Sequence, residues 1–176
     1  MNDKNKRKLT KHTAYLLLGS NAGDRLQWLY DALHMLDKHG LFLALSPVYE
    51  TAAWGLEEQP DFLNIALSIE TALTPDGLLK AIREIEQQCG RQRELKWGQR
   101  TLDIDILFYD DIVLNEPELV IPHPHLHERR FALTPLNDIA PQLVHPAMHK
   151  TVAQLLKECT DPLATTPYEE EHEDEQ

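Results

Sequence analysis

Asp103 and Asp105 stand one residue apart in Trp97-Gly-Gln-Arg-Thr-Leu-Asp-Ile-Asp-Ile-Leu-Phe-Tyr109, a segment that otherwise reads as a buried β-strand. Successive strand side chains point to opposite faces. Leu102, Ile104 and Ile106 therefore share one face, and both acids project from the other, roughly 6.6 Å apart along the chain. Paired carboxylates suit Mg²⁺, which takes one or two of them and completes its shell with water and substrate phosphate. Such a pair could also bridge two ions about 3.5 to 4 Å apart. Arg91, Arg93, Lys96 and Arg100 precede the acids. Phosphate-binding cations beside metal-binding oxygens point to a nucleotide. An arbitrary Asp-x-Asp more often marks only the wet side of a strand, so the motifs around this one decide its meaning.

The elements that must position these acids follow from pattern. Tyr15 to Leu18 reads as a strand ending in the turn-forming Gly19-Ser-Asn-Ala-Gly-Asp24. Leu26, Leu29, Leu33 and Leu36 recur at helical spacing, with Gly40 as the stop. Phe42 to Glu50 suggests a strand, with Pro47 arguing for an edge or a bulge, and a loop follows through "ETAAWGLEEQP". From Asp61 to Ile69 the alternation is clear: Leu63, Ile65, Leu67 and Ile69 on one face, Phe62, Asn64, Ala66 and Ser68 on the other. Thr74 as N-cap, Pro75 at the first position and Asp76 in the first turn open a helix with a Leu78, Leu79, Ile82, Ile85 stripe that stops near Gly90. After the aspartate strand come a turn at Asp110-Asp111, short apolar pieces, the unusual "PHPHLHERRF", and a last helix near Thr151 to Glu158. The order β-α-β-β-α-β is the ferredoxin-like α+β pattern, an antiparallel sheet with its helices packed on one face. The opposite face is then free to carry a site.

Composition narrows the function classes. The 176 residues fit one domain, expected over residues 13–168, between a basic extension at 1–12 and an acidic, disordered tail at 169–176. The formal net charge is −12; without the six carboxylates of the tail the body still carries −6, which argues against a nucleic-acid surface. No apolar run exceeds about five residues, far short of the roughly 20 a membrane span needs, and no apolar signal segment follows the basic start. Two distant cysteines suit a reduced, cytoplasmic protein.

"RTLDIDI", taken together with "GSN", "QPDFLN" and "PHPHLHERRF", resembles the 6-hydroxymethyl-7,8-dihydropterin pyrophosphokinases of folate biosynthesis, in order from about Ala14 to Pro146. The resemblance implies a ferredoxin-like fold and transfer of the terminal pyrophosphate of ATP to the hydroxymethyl group of a reduced pterin, with release of AMP. It implies Asp103 and Asp105 as ligands of two Mg²⁺ ions, and Arg91, Arg100 and Asp105 as catalytic residues. Glu86, Arg91, Trp97, Arg100, Ile106, His123 and Arg129 match ATP-binding positions, and Thr51, Phe62, Asn64, Asp103 and Phe131 pterin-binding ones. A flat bicycle with a donor and acceptor edge asks for an amide such as Asn64 between aromatic faces. A monomer binding ATP and pterin, with neither nucleic acid nor membrane as partner, is expected.

Alternatives stay beside these roles. Glu86 could simply pair with Arg83 on its helix, Phe62 and Phe131 could be ordinary core, and His123, His125 and His127 have a zinc-like spacing that the interleaved prolines oppose. Gly19 to Asp24, Ala52 to Pro60 and Arg91 to Gly98 are candidate lids. Ala53 and Gln99 stand where relatives commonly have Pro, and Glu118 where a basic residue can occur. The rival functions are an Mg²⁺-dependent nucleotide hydrolase and a ferredoxin-like RNA-binding module stacking bases on Phe62 and Phe131.

Overall fold

β1 (His12–Ser20) runs through the middle of the sheet because Leu16, Leu17 and Leu18 in succession are apolar enough to be buried on both faces. The structure, a computed structural model, describes residues 9–52, 59–90 and 101–170. β1 pairs antiparallel with β4 (Phe62–Thr71) on one side and β5 (Asp103–Tyr109) on the other. β2 (Leu41–Leu45) and β3 (Tyr49–Thr51) both pair with β4, and β8 (Thr165–Pro167) adds to β3. The strand order β5-β1-β4-β3-β8, with β2 beside β4, is the ferredoxin-like arrangement. β6 (Leu114–Glu116) and β7 (Leu119–Ile121) form a separate hairpin.

The expected single strand from Phe42 to Glu50 is broken in two. Pro47 cannot donate to a ladder. The hydroxyl of Ser46 replaces the lost regularity, accepting from the Ala66 amide at 2.9 Å while the Ser46 amide donates to the Ala66 carbonyl at 2.9 Å. β2 also carries a register shift between Phe42 and Ala44, and Leu41, Leu43 and Leu45 stay exposed on it.

α1 (Arg25–Leu36) starts where Asp24 accepts from the Gln27 amide, and α2 (Pro75–Gln88) where Thr74 accepts from Gly77, as its N-cap signature predicts. Both lie on one face, over Leu16, Leu18, Leu67, Ile69, Ile104 and Ile106. Each such leucine or isoleucine, removed from water, contributes about 1.5–3 kcal/mol.

The other face is not left wholly open. α3 (Arg130–Ile139) and α4 (Val152–Glu158) cover part of it, packing Leu133, Leu136 and Leu155 against Leu17, Ala66, Leu107 and Phe108. The sequence pattern does not predict α3, because Pro135 inside it removes a backbone donor that a helix interior normally needs. Its buried Ala132, Leu133, Pro135 and Leu136 lie at helical spacing, so packing outweighs the missing bond. β4 is accordingly buried on both sides, down to Asn64 and Ser68, and only the end of this face nearest Phe62 and Asp103 remains accessible.

Tyr49 ties the sheet to this roof, its phenol donating to the Asp138 carboxylate on α3. The bond and the neighbouring negative charge push the Tyr49 pKa up to about 12. The proton is therefore kept in the fold at pH values where the unfolded phenol, with its ordinary pKa near 10, loses it. The stabilisation is complete below pH 10 and is lost as pH rises through about 12. Tyr49→Phe should cost about 1.5–3 kcal/mol in urea denaturation at neutral pH, the range for hydrogen bonds to charged groups. The difference from the unsubstituted protein should shrink in alkali.

Candidate active site

Register carries the site. Asp103 lies opposite Gly19 on β1, Gly19 opposite Asn64 on β4, and Asn64 opposite Tyr49 on β3. One row along the same face, Asp105 lies opposite Leu17, itself opposite Ala66. Both acids thus face the accessible end of the sheet, as alternation predicts, while Leu102, Ile104 and Ile106 are buried beneath α1 and α2. With neighbouring strands about 4.8 Å apart, Asp103 and Asn64 sit on the order of 10 Å from each other across the sheet.

Gly19 makes that row possible. A Cβ at this position would come within 2.7 Å of Asn64 Oδ1, so the asparagine amide lies directly over the glycine. Phe62, on the same face of β4, and its partner Thr51 on β3 extend the surface away from the acids. The start of α3 closes it from above, with Arg129 as its N-cap residue and Phe131 in its first turn, the guanidinium 5.7 Å from the ring centre. Together they line a cavity of about 620 Å³, large enough for a drug-sized ligand. Phe62 and Phe131 are half-buried cavity walls and not closed core.

His123 stands beside the acids, its Nε2 3.9 Å from Asp105 Oδ1. Burial, then the positive charge of Arg129 and the neighbouring His125, push its pKa down to about 4, so the ring is neutral at pH 7. Its Nδ1 accepts from the His125 amide at 3.2 Å. The remaining proton is therefore on Nε2, and a neutral donor is aimed at the acid end of the cavity. His125 pairs with Glu128 at 3.0 Å, and no cluster of three metal-binding side chains occurs among the described residues.

Two residues expected at the nucleotide have buried side chains. The Glu86 side chain is turned inward, 4% exposed, and its Oε1 accepts from the Ile104 amide at 2.9 Å. It is not the surface partner of Arg83, which pairs with Glu118 at 3.0 Å. Glu86 fixes the backbone between the two aspartates and does not line the cavity. Ile106 is 5% exposed, its side chain packed on the helix side of β5 because alternation opposes it to Asp105. Only its backbone remains for a ligand. Arg91, Trp97 and Arg100, with the central part of the loop after Thr51, lie outside the described residues. The sequence reading missed the segment Thr160 to Leu163, which forms another cavity wall. It carries no pattern that would reveal it, since its position depends on contacts with distant α3.

Two substitutions test this construction. Gly19→Ala should force the Asn64 amide aside, because the added Cβ would meet its Oδ1 at 2.7 Å, and cost about 1–3 kcal/mol in urea denaturation, the scale of overpacking. Glu86→Ala should leave the Ile104 amide unpaired in the interior, costing about 1–3 kcal/mol in urea denaturation.

Known proteins resemble this chain in sequence and in fold. Residues 15–141 match the family described as 7,8-dihydro-6-hydroxymethylpterin-pyrophosphokinase (HPPK). The 2-amino-4-hydroxy-6-hydroxymethyldihydropteridine pyrophosphokinase of Aquifex aeolicus is 42% identical over 148 residues, covering 84% of this chain and 92% of that protein. Its namesake in Methylorubrum extorquens is 46% identical over 133 residues, covering 74% and 84%. Among solved structures, wild-type HPPK-DHPS of Plasmodium falciparum with pterin and p-hydroxybenzoate matches at a TM-score of 0.69 and 20% identity, over 86% of this chain and 44% of that one. That likeness supports the fold.

Proposed function

Because the chain belongs to the 7,8-dihydro-6-hydroxymethylpterin-pyrophosphokinase family, we propose that its cavity holds the two substrates of that reaction side by side. The protein transfers pyrophosphate from ATP to 6-hydroxymethyl-7,8-dihydropterin in folate biosynthesis. The pterin lies between Phe62 and Phe131, its polar edge toward Asn64 and Thr51, and the triphosphate lies over Asp103 and Asp105. The observation that carries this assignment is the single row Asp103, Gly19, Asn64, which places acids and amide about one bicyclic ring apart.

The hydroxyl oxygen of the pterin attacks the β-phosphorus of ATP, forming one O–P bond. The bond from that phosphorus to the oxygen shared with the α-phosphate breaks, AMP leaves with that oxygen, and the hydroxyl proton is released. Such a transfer needs in-line positioning and neutralised charge more than covalent help. Asp103 and Asp105 suit magnesium, being hard oxygen donors turned into the cavity, with the Asp105 side chain 31% exposed. Asp103 and Asp105 would hold two Mg²⁺ ions, which when bound would neutralise triphosphate charge. Asp105 orients the attacking hydroxyl or takes its proton. His123 donates from Nε2 to phosphate oxygen without adding charge, and Arg129 supplies a permanent cation. Arg91 and Arg100 complete the phosphate contacts and Trp97 closes over the nucleotide.

We assign this activity to residues 13–168 of a cytoplasmic monomer, with 1–12 and 169–176 as extensions outside the reaction. Buried free Cys89 and Cys159 fit a reducing compartment. No helix among the described residues is long and apolar enough to cross a membrane.

Purified protein given ATP, Mg²⁺ and the hydroxymethyl dihydropterin should yield AMP and pterin pyrophosphate in equal amounts. Release of phosphate from ATP without any pterin would instead mark a hydrolase. Asp103→Ala and Asp105→Ala should each lower kcat at least about 100-fold, the scale of lost electrostatic stabilisation, while leaving the urea midpoint nearly unchanged. Full activity in the double variant would remove the metal role.

A further inference from the structure

Arg130 opens α3 between two residues that face the cavity, Arg129 and Phe131, but its own side chain turns toward the C-terminal segment. Its guanidinium donates from one terminal nitrogen to the Cys159 carbonyl at 2.8 Å and from Nε to the Asp161 carbonyl at 3.1 Å. Its backbone amide donates to Asp161 Oδ2 at 3.1 Å, and Asp161 Oδ1 accepts from the Leu163 amide at 3.0 Å. One carboxylate therefore joins the first amide of α3 to the turn at 161–163, and one guanidinium grips both carbonyls flanking Thr160. A negative charge at a helix N-terminus is favourable in itself.

Among the described residues, few other hydrogen bonds reach this stretch. Thr160 and Pro162 are exposed, and Asp161 and Leu163 only half-buried, yet all four line the cavity. The segment then enters β8, where Thr165 faces Thr51 on β3 with the two hydroxyls 3.2 Å apart. Thr51 in turn lies opposite Phe62. The wall thus stands at the aromatic end of the cavity, with the strands β3, β4 and β1 between β8 and the acids on β5.

We propose that Arg130 and Asp161 form a latch that sets Thr160 to Leu163 as a third wall of the acceptor subsite and fixes the approach of Phe131. Arg130 is a positioning residue for the heterocyclic substrate, acting through the segment it holds. This rests on the placement of the pterin at Phe62 and Phe131. The latch is selective for one substrate because its contacts end at the aromatic side. Of the phosphate side, built from β5, His123 and Arg129, the latch contacts neither β5 nor His123, and its bonds run from Arg130 to Cys159 and Asp161, away from the Arg129 guanidinium over Phe131.

Steady-state kinetics with each substrate varied, on the full chain, separates the possibilities. Arg130→Ala should raise KM for the pterin about tenfold and leave KM for ATP within about twofold, and Arg130→Lys should recover part of the loss, since an ammonium can reach one of the two carbonyls. Leu163→Ala, which spares the latch, should shift the pterin KM in the same direction with an unchanged urea midpoint. An unchanged pterin KM in both Arg130→Ala and Leu163→Ala would overturn the proposal, as would equal rises in both KM values. If the unsubstituted protein made no pterin pyrophosphate, the functional assignment itself would fail, independently of the latch.

Discussion

The register of three antiparallel strands is the constraint on which this molecule depends. β5 against β1 and β1 against β4 are each fixed by hydrophobic burial on both faces, so a slip of one residue would turn Leu16 and Leu18 out of one core and Leu17 into the wrong one. That same slip would send Asp103 and Asp105 under α1 and α2, where no water or substrate could reach them. Folding energy and site geometry are thus set by a single choice. The chain needs no special device to bring its acids and its amide to one face, because the packing of leucines has already done so.

Around this fixed floor the remaining parts are supplied by connections. The loop from His123 into α3 brings a neutral donor, a permanent cation and an aromatic ring within nine residues. Glu86 holds β5 from behind, at the amide between the two aspartates. The division is physical: the sheet gives rigid spacing in two dimensions, and the connections add the third. Electrostatics follow the same division. His123 loses its charge to burial and to Arg129, so the cationic part of the described site rests on the guanidinium, which cannot titrate away.

What was legible in the sequence is what depends on neighbours along the chain. The alternation at Phe62 to Ile69 and the Thr74-Pro75-Asp76 start are local signals, and β4 and α2 form where they point. The facing of Asp103 and Asp105 followed from strand periodicity alone. Sequence failed where distant contacts decide. Glu86 kept two readings, a nucleotide contact and a surface partner of Arg83, because spacing along a helix does not say which side is roofed by another strand; Arg83 pairs with Glu118 instead. Ile106 matches a ligand position, and the sequence does not say that its side chain lies in the core, leaving that role to its backbone. α3 was hidden by Pro135, a local penalty that packing against Leu107 and Phe108 overrides. The wall at Thr160 to Leu163 had no local signature, since its shape comes from bonds between residues 31 positions apart.

The exposed leucines of β2 have a consequence for the chain before it is folded and when it is crowded. A strand of alternating leucines at a sheet edge can template another copy of itself, and such segments seed aggregates when they are long, flat and unbroken. Here the register shift after Phe42 twists the ladder and Pro47 ends it, leaving only the five residues Leu41–Leu45. The kink that divides the expected strand in two thereby acts as a gatekeeper, keeping a sticky margin too short and too bent to recruit a neighbour.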